Sequence, residues 1–201
     1  MRRAGTVALV VAALVVAGCG SPVEEPPGLT ASPTPSPTPP SPEPEPTAPA
    51  SETQDLSDPE AGIVFEDVPA LTGEEAAVWN TAATFQREYW RLMRTNTASP
   101  GFGAIASGDV VARMEEIAAN NAADSVEIGG TYRTRVSDVT ITGDEASVLV
   151  CDMYADVTFS DHRGPATPEE AGFGENILLR KPLRKLDGRW MLGPSVREGT
   201  C

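Results

Sequence analysis

The stretch ASVLVCDMYADVTF, residues 146–159, decides how the chain is read. Successive side chains of a strand point to opposite faces, so its odd and even positions can be separated. The odd set, Leu149, Cys151, Met153, Ala155, Val157 and Phe159, is apolar throughout. The even set begins with Val148 and Val150, then turns to Asp152, Tyr154, Asp156 and Thr158. The pattern predicts one long strand whose odd face is core and whose even face passes from buried to wet.

Turn chemistry brackets this strand. TGDE at 142–145 separates it from a run rich in β-branched residues, Thr131 to Ile141. Beyond it, Ile177 to Leu186 and Trp190 to Val196 predict a last hairpin around Asp187-Gly188. Pro182 cannot donate to a ladder, which predicts an edge or a bulge at that point.

Before residue 124 the period is helical. Thr72 and Glu75 have capping-box spacing, and Val78, Ala82, Phe85, Tyr89 and Leu92 or Met93 recur on one face. That predicts a helix over 73–95, ended by Pro100 and the glycines of SPGFG. A second helix follows SGD, with Val110, Met114, Ile117 and Asn121 on one face and an end near Ala123. Helices followed by a strand meander predict an α+β domain over 60–201, its amino-terminal helices packed on a curved antiparallel sheet.

The amino terminus has a different grammar. Arg2 and Arg3 precede an apolar run of roughly 15 residues, short of the ~20 that a membrane span needs. The run ends Val16-Ala17-Gly18-Cys19, which resembles a bacterial lipobox. The resemblance implies a signal peptide over 1–18, removed before Cys19, and a diacylglyceryl group on that thiol, with further acylation (palmitate) of the new amino terminus. The protein would then sit on the extracytoplasmic face of the cell membrane, held by lipid at Cys19. Two acyl chains anchor stably where one does not.

Residues 19–59 hold repeated prolines with Ser, Thr and Glu and no aromatic side chain. Such a segment cannot bury enough apolar surface to offset ordering entropy, so a disordered tether is expected. In polyproline II, some 40 residues reach about 120 Å.

The chain carries 29 acidic and 15 basic residues, a net charge of −14, two units more negative once Arg2 and Arg3 leave with the signal. That balance argues against nucleic acid as a partner. With Cys19 assigned to lipid, Cys151 and Cys201 remain, and a disulfide between them is expected in an oxidising compartment, two free thiols being the other reading.

The helices, the GDEASVLVCD strand and the terminal DGRWMLGPSVREGTC together resemble the NTF2-like (SnoaL-like) superfamily, and more narrowly small actinobacterial lipoproteins that carry such a domain. The resemblance implies a cone with a pocket between helix and sheet, in a fold that hosts enzymes and non-catalytic modules alike. Its isomerases and cyclases use an Asp base beside a Tyr or an acid. The nearest constellation here is Asp152, Tyr154 and Asp156, joined by Tyr89 or Tyr132, and these are the catalytic candidates.

Nucleophile elbow, Walker, Cys-x-x-Cys and EF-hand patterns are missing from the sequence, so no cofactor is expected. His162 is the only histidine and lies in a 17-residue connection ending at Asn176, which leaves no metal-ligand pattern. Inside that connection Thr167-Pro168-Glu169-Glu170 predicts a single helical turn. The leading expectation is a non-catalytic envelope module that binds a partner protein or a small apolar ligand. An isomerase-like or cyclase-like enzyme and a structural envelope lipoprotein are the alternatives.

Overall fold

The computed structural model describes residues 51–201. Cys19, the signal peptide and most of the tether lie outside the described residues. A short strand β1 (Ile63–Phe65) precedes helices α1 (Gly73–Thr95), α2 (Phe102–Ile105) and α3 (Gly108–Ala123). Strands β2 (Glu127–Thr142), β3 (Glu145–Asp161), β4 (Gly164–Ala166), β5 (Ile177–Leu186), β6 (Arg189–Leu192) and β7 (Val196–Thr200) follow. The helices pack against one strongly curled sheet of order β1-β2-β3-β5-β6, with β4 beside β3 and β7 beside β5. No helix among the described residues is long and apolar enough to cross a membrane.

The sheet is mixed rather than purely antiparallel, because β1 runs parallel to β2, Val64 facing Arg133. The folded unit also begins before residue 60. Thr53 N donates to Leu71 O, Gly73 N to Ser51 O, and Gln54 N to the Asn80 side chain. Glu52 bridges Thr72 there, so residues 51–59 belong with the domain and not with the expected tether. The same bridge alters the start of α1. Gly73 takes φ +62, Thr72 is extended, and no side-chain cap bond forms, so the capping box expected at Thr72–Glu75 is replaced by backbone bonds.

Helix α1 lays Val78, Trp79, Ala82, Phe85, Trp90 and Leu92 into the core. Both of its indoles meet their polar needs on backbone carbonyls, Trp79 on Val136 O at 3.0 Å and Trp90 on Ala61 O at 2.8 Å. Asn96 closes the helix in the left-handed region and donates its amide to Val126 O at 2.7 Å.

The long strand presents the opposite face to the core from the one expected. Ala146, Val148, Val150, Asp152 and Tyr154 are buried, whereas Leu149 and Met153 are half-buried on the other side. A bulge then reverses the phase. Thr131 faces Asp156 and Arg133 faces Met153, so Tyr132 alone opposes both Tyr154 and Ala155. Past the bulge, Val157 is the buried residue. Gly130 sits beside it at φ +77, where a Cβ would come within 2.2 Å of Asp156 O.

The turns follow their residues. Asp187 and Gly188 both take positive φ, 49° and 76°, as the two-residue turn between β5 and β6 requires. The predicted last strand divides in two, β6 and β7, around Gly193-Pro194-Ser195. Pro182 lies in neither an edge nor a bulge. It stands at the break where β5 changes partner from β7 to β6, and its carbonyl accepts from Gly193 N at 2.8 Å. Cys151 on β3 and Cys201 beyond β7 are joined by a disulfide with Cα atoms 6.0 Å apart.

Candidate functional site

Between α1, α3 and the concave face of the sheet lies a cavity of about 450 Å³. Its apolar wall comes from Phe85 of α1, Val110, Met114 and Ile117 of α3, and Ile177 and Leu179 of β5. Phe173 adds a further wall from the connection between β4 and β5. Polar groups line the same space: Gln86, Tyr89, Asp152, Tyr154, Lys181 and Ser195, with Asp109 and Arg113 of α3 also on its lining.

Asp152 is the centre of a buried network. It is 3 % exposed and its Oδ1 accepts from Gln86 Nε2 at 2.6 Å, Tyr132 OH at 2.5 Å and Thr134 Oγ1 at 3.2 Å. Gln86 reaches it from a position on the apolar stripe of α1, while Tyr132 and Thr134 stand on the neighbouring strand β2. Turning the Gln86 amide nitrogen toward the carboxylate leaves Gln86 Oε1 buried without a hydrogen-bond partner.

Aromatic rings run away from this point. Trp90 stacks on Tyr132 at 5.3 Å, Tyr132 tilts against Tyr154 at 5.4 Å, and Tyr154 against Phe173 at 5.2 Å.

Burial governs the ionisation of the cluster. It raises the Asp152 carboxyl above its usual range, against the pull of the Lys181 ammonium and of the Tyr132 and Thr134 hydroxyls. It lowers Lys181 from its usual value, opposed by the Asp152 charge. Tyr89 is pushed up to about 12 by desolvation and by Asp152, and Tyr154 is raised further for the same reasons, with Tyr89 adding to it. At neutral pH both phenols are therefore donors facing the cavity.

Lys181 is 4 % exposed. Its ammonium lies over the Phe85 ring at 4.7 Å and donates to Ser195 Oγ at 3.3 Å. It forms no salt bridge within 4.0 Å among the described residues.

Of the three candidates on one strand face, Asp152 and Tyr154 meet at the cavity and Asp156 does not. The bulge turns Asp156 outward, where it is exposed and pairs with Arg133 at 3.3 Å. Tyr89 and Tyr132 join the cluster from α1 and β2. Gln86, Thr134 and Lys181 are members the sequence reading missed. Two had a visible signal: Gln86 interrupts an apolar helical stripe, and Lys181 falls in phase with Leu179 and Leu183.

His162 is remote from the cavity, exposed in the β3–β4 turn, with Nδ1 3.3 Å from Asp124 O. Part of its connection is hairpin rather than loop. The predicted turn at Thr167 does form, Thr167 N donating to Glu170 Oε2 at 2.8 Å and Glu170 N to Thr167 Oγ1 at 3.3 Å. Among the described residues no three His, Cys, Asp or Glu side chains gather as a metal site.

No protein-family profile and no curated protein matches the chain. Among solved structures, the chain is similar to the intermembrane-space region of the chloroplast protein ARC6. That match has 15 % identity and a TM-score of 0.44, over 64 % of this chain and 98 % of that one. It is also similar to a de novo β-sheet design, with 18 % identity and a TM-score of 0.31, over 62 % of this chain and 90 % of that one.

Proposed function

We propose that this protein is a lipid-anchored extracytoplasmic module whose folded domain holds a small, largely apolar ligand and performs no chemistry on it. The observation that carries the reading is the cavity between α1, α3 and the sheet, apolar along its walls and polar at one side. Its volume falls within the roughly 300–1,000 Å³ of small-molecule sites. Helices laid over a curled sheet around such a space also favour an NTF2-like (SnoaL-like) cone. Anchoring at Cys19, on the lipobox resemblance, would hold that cavity in the cell envelope at the end of the proline-rich tether.

A binding role is favoured over catalysis by the state of Asp152. Three side-chain donors from α1 and β2 converge on its Oδ1, which ties the carboxyl into the scaffold as a brace of the cavity wall. One observation favours the enzyme reading instead: a carboxyl raised by burial, beside two phenols, in a cavity is where proton transfer is commonly built.

Native mass spectrometry of the exported mature chain tests the binding reading. A small molecule travelling with the protein, and lost when Leu179→Trp fills the cavity, is the expected result. An empty chain that also ignores a panel of apolar molecules would overturn it. Turnover abolished by Asp152→Asn in a folded protein would move the assignment to the enzyme.

A further inference from the structure

Lys181 is the least satisfied charged group facing the cavity. An ammonium has three N–H donors, and burial of a charge is costly unless it is paired. Here one donor has a long bond to Ser195 and the charge rests against the Phe85 ring, while the nearest relevant anion, Asp152, is outside salt-bridge range. Asp152 stands opposite Ile177 and Lys181 opposite Val148, so the two reach the cavity from different rows of the sheet. The hydrogen bonds that Asp152 accepts come from Gln86, Tyr132 and Thr134, all at Oδ1, and none comes from Lys181. The buried ammonium is thus a donor set with vacant directions at the edge of an apolar space.

We infer that the ligand is an apolar molecule ending in a single carboxylate, whose head is held by Lys181 and Ser195 while its body lies along Phe85, Met114, Ile177 and Leu179. This inference rests on the binding reading of the cavity. A carboxylate would complete the hydrogen bonds of the ammonium, and a charge-assisted bond in a dry site is stronger than a neutral one. Ser195 comes from the Gly193-Pro194-Ser195 break opposite Pro182, so the same interruption that splits the last strand supplies the second polar group. An alcohol of the same length would gain the apolar contacts but leave the ammonium without its counter-charge. An alkyl ammonium would meet a like charge.

The test compares decanoate, decanol and decylammonium by titration calorimetry on the mature chain carrying Cys19→Ser, exported behind an ordinary secretory signal so that the leader is still removed and no detergent is needed. Decanoate should bind about tenfold more tightly than decanol, and decylammonium more weakly than either. Lys181→Met should bring decanoate and decanol level while decanol affinity is kept, and Lys181→Arg should retain the preference in part. Equal affinities for decanoate and decanol in the unsubstituted protein overturn the carboxylate assignment and leave the binding cavity standing. If none of the three binds, the binding cavity itself fails and the assignment goes with it. Because the first comparison uses no cavity variant, a folding defect in Lys181→Met cannot decide the result.

Discussion

The Tyr132 hydroxyl donates to Asp152 Oδ1 at 2.5 Å while receiving the Gln86 amide at 2.6 Å, linking β2, β3 and α1 at a single buried oxygen. Removing that oxygen in Tyr132→Phe keeps the ring stacked on Trp90 but deprives both neighbours of a partner. Two buried hydrogen bonds are lost, each worth about 1 kcal/mol net, while the Gln86–Asp152 bond keeps both groups partnered. The expected result is a fall in unfolding free energy of about 2 kcal/mol in urea, with the slope of the transition unchanged.

Asp152 makes stability depend on pH with a definite sign. Its carboxyl is raised in the folded state above the 3.8 of an ordinary Asp, by burial first. The folded protein therefore holds the proton more tightly than the unfolded chain. The contribution is fully present below pH 3.8 and is lost as the pH rises through the folded value. In Asp152→Asn this portion of the pH dependence should vanish. Urea midpoints between pH 4 and pH 7 check it, and parallel curves for the two proteins would sink the assignment.

Two glycines of positive φ separate strain from crowding. At Gly143, φ +60, nothing lies within 4 Å of an added Cβ, whereas at Gly130, φ +77, the added Cβ would strike Asp156 O. Gly143→Ala should cost about 1 kcal/mol from backbone conformation alone. Gly130→Ala should cost about 3 kcal/mol or more, since two backbones must also part at the bulge. Thermal unfolding of the two variants side by side measures the difference.

The bond between Cys151 and Cys201 closes a loop with a sequence separation of 50. In the chain-entropy account such a closure stabilises by about 4 kcal/mol. Cys201→Ser should lower stability by that order. It should also raise hydrogen exchange first along β7, which pairs only with β5. Uniform loss of protection across the sheet would contradict a local role for the link.

Much of the scaffold was legible because it is local. The spacing of Val78, Ala82 and Phe85, the turn residues at 142–145 and the Asp187-Gly188 pair each carry their instruction within a few positions. The inward face of β3 was not, since both of its faces carry apolar residues and a single strand does not say which will meet a helix. Asp152 and Tyr154 read as a wet face, yet they are buried because Gln86 and Tyr132, 66 and 20 positions away from Asp152, supply hydrogen bonds. The parallel pairing of β1 rests on three residues, Ile63–Phe65, too few to show a period.

The attachment of residues 51–54 beside the first turn of α1 has a mechanical meaning. Tension arriving through Ser51 would load the Gly73–Ser51 bond, the Glu52–Thr72 bridge and the Asn80 contacts with Glu52 and Gln54 before anything else. The cavity wall on α1 begins at Phe85, twelve residues further on, about 18 Å along the helix axis. A pull on the leading segment would therefore be absorbed by a small clamp at the helix entrance, leaving the distances around Asp152 and Lys181 undisturbed until that clamp gives way.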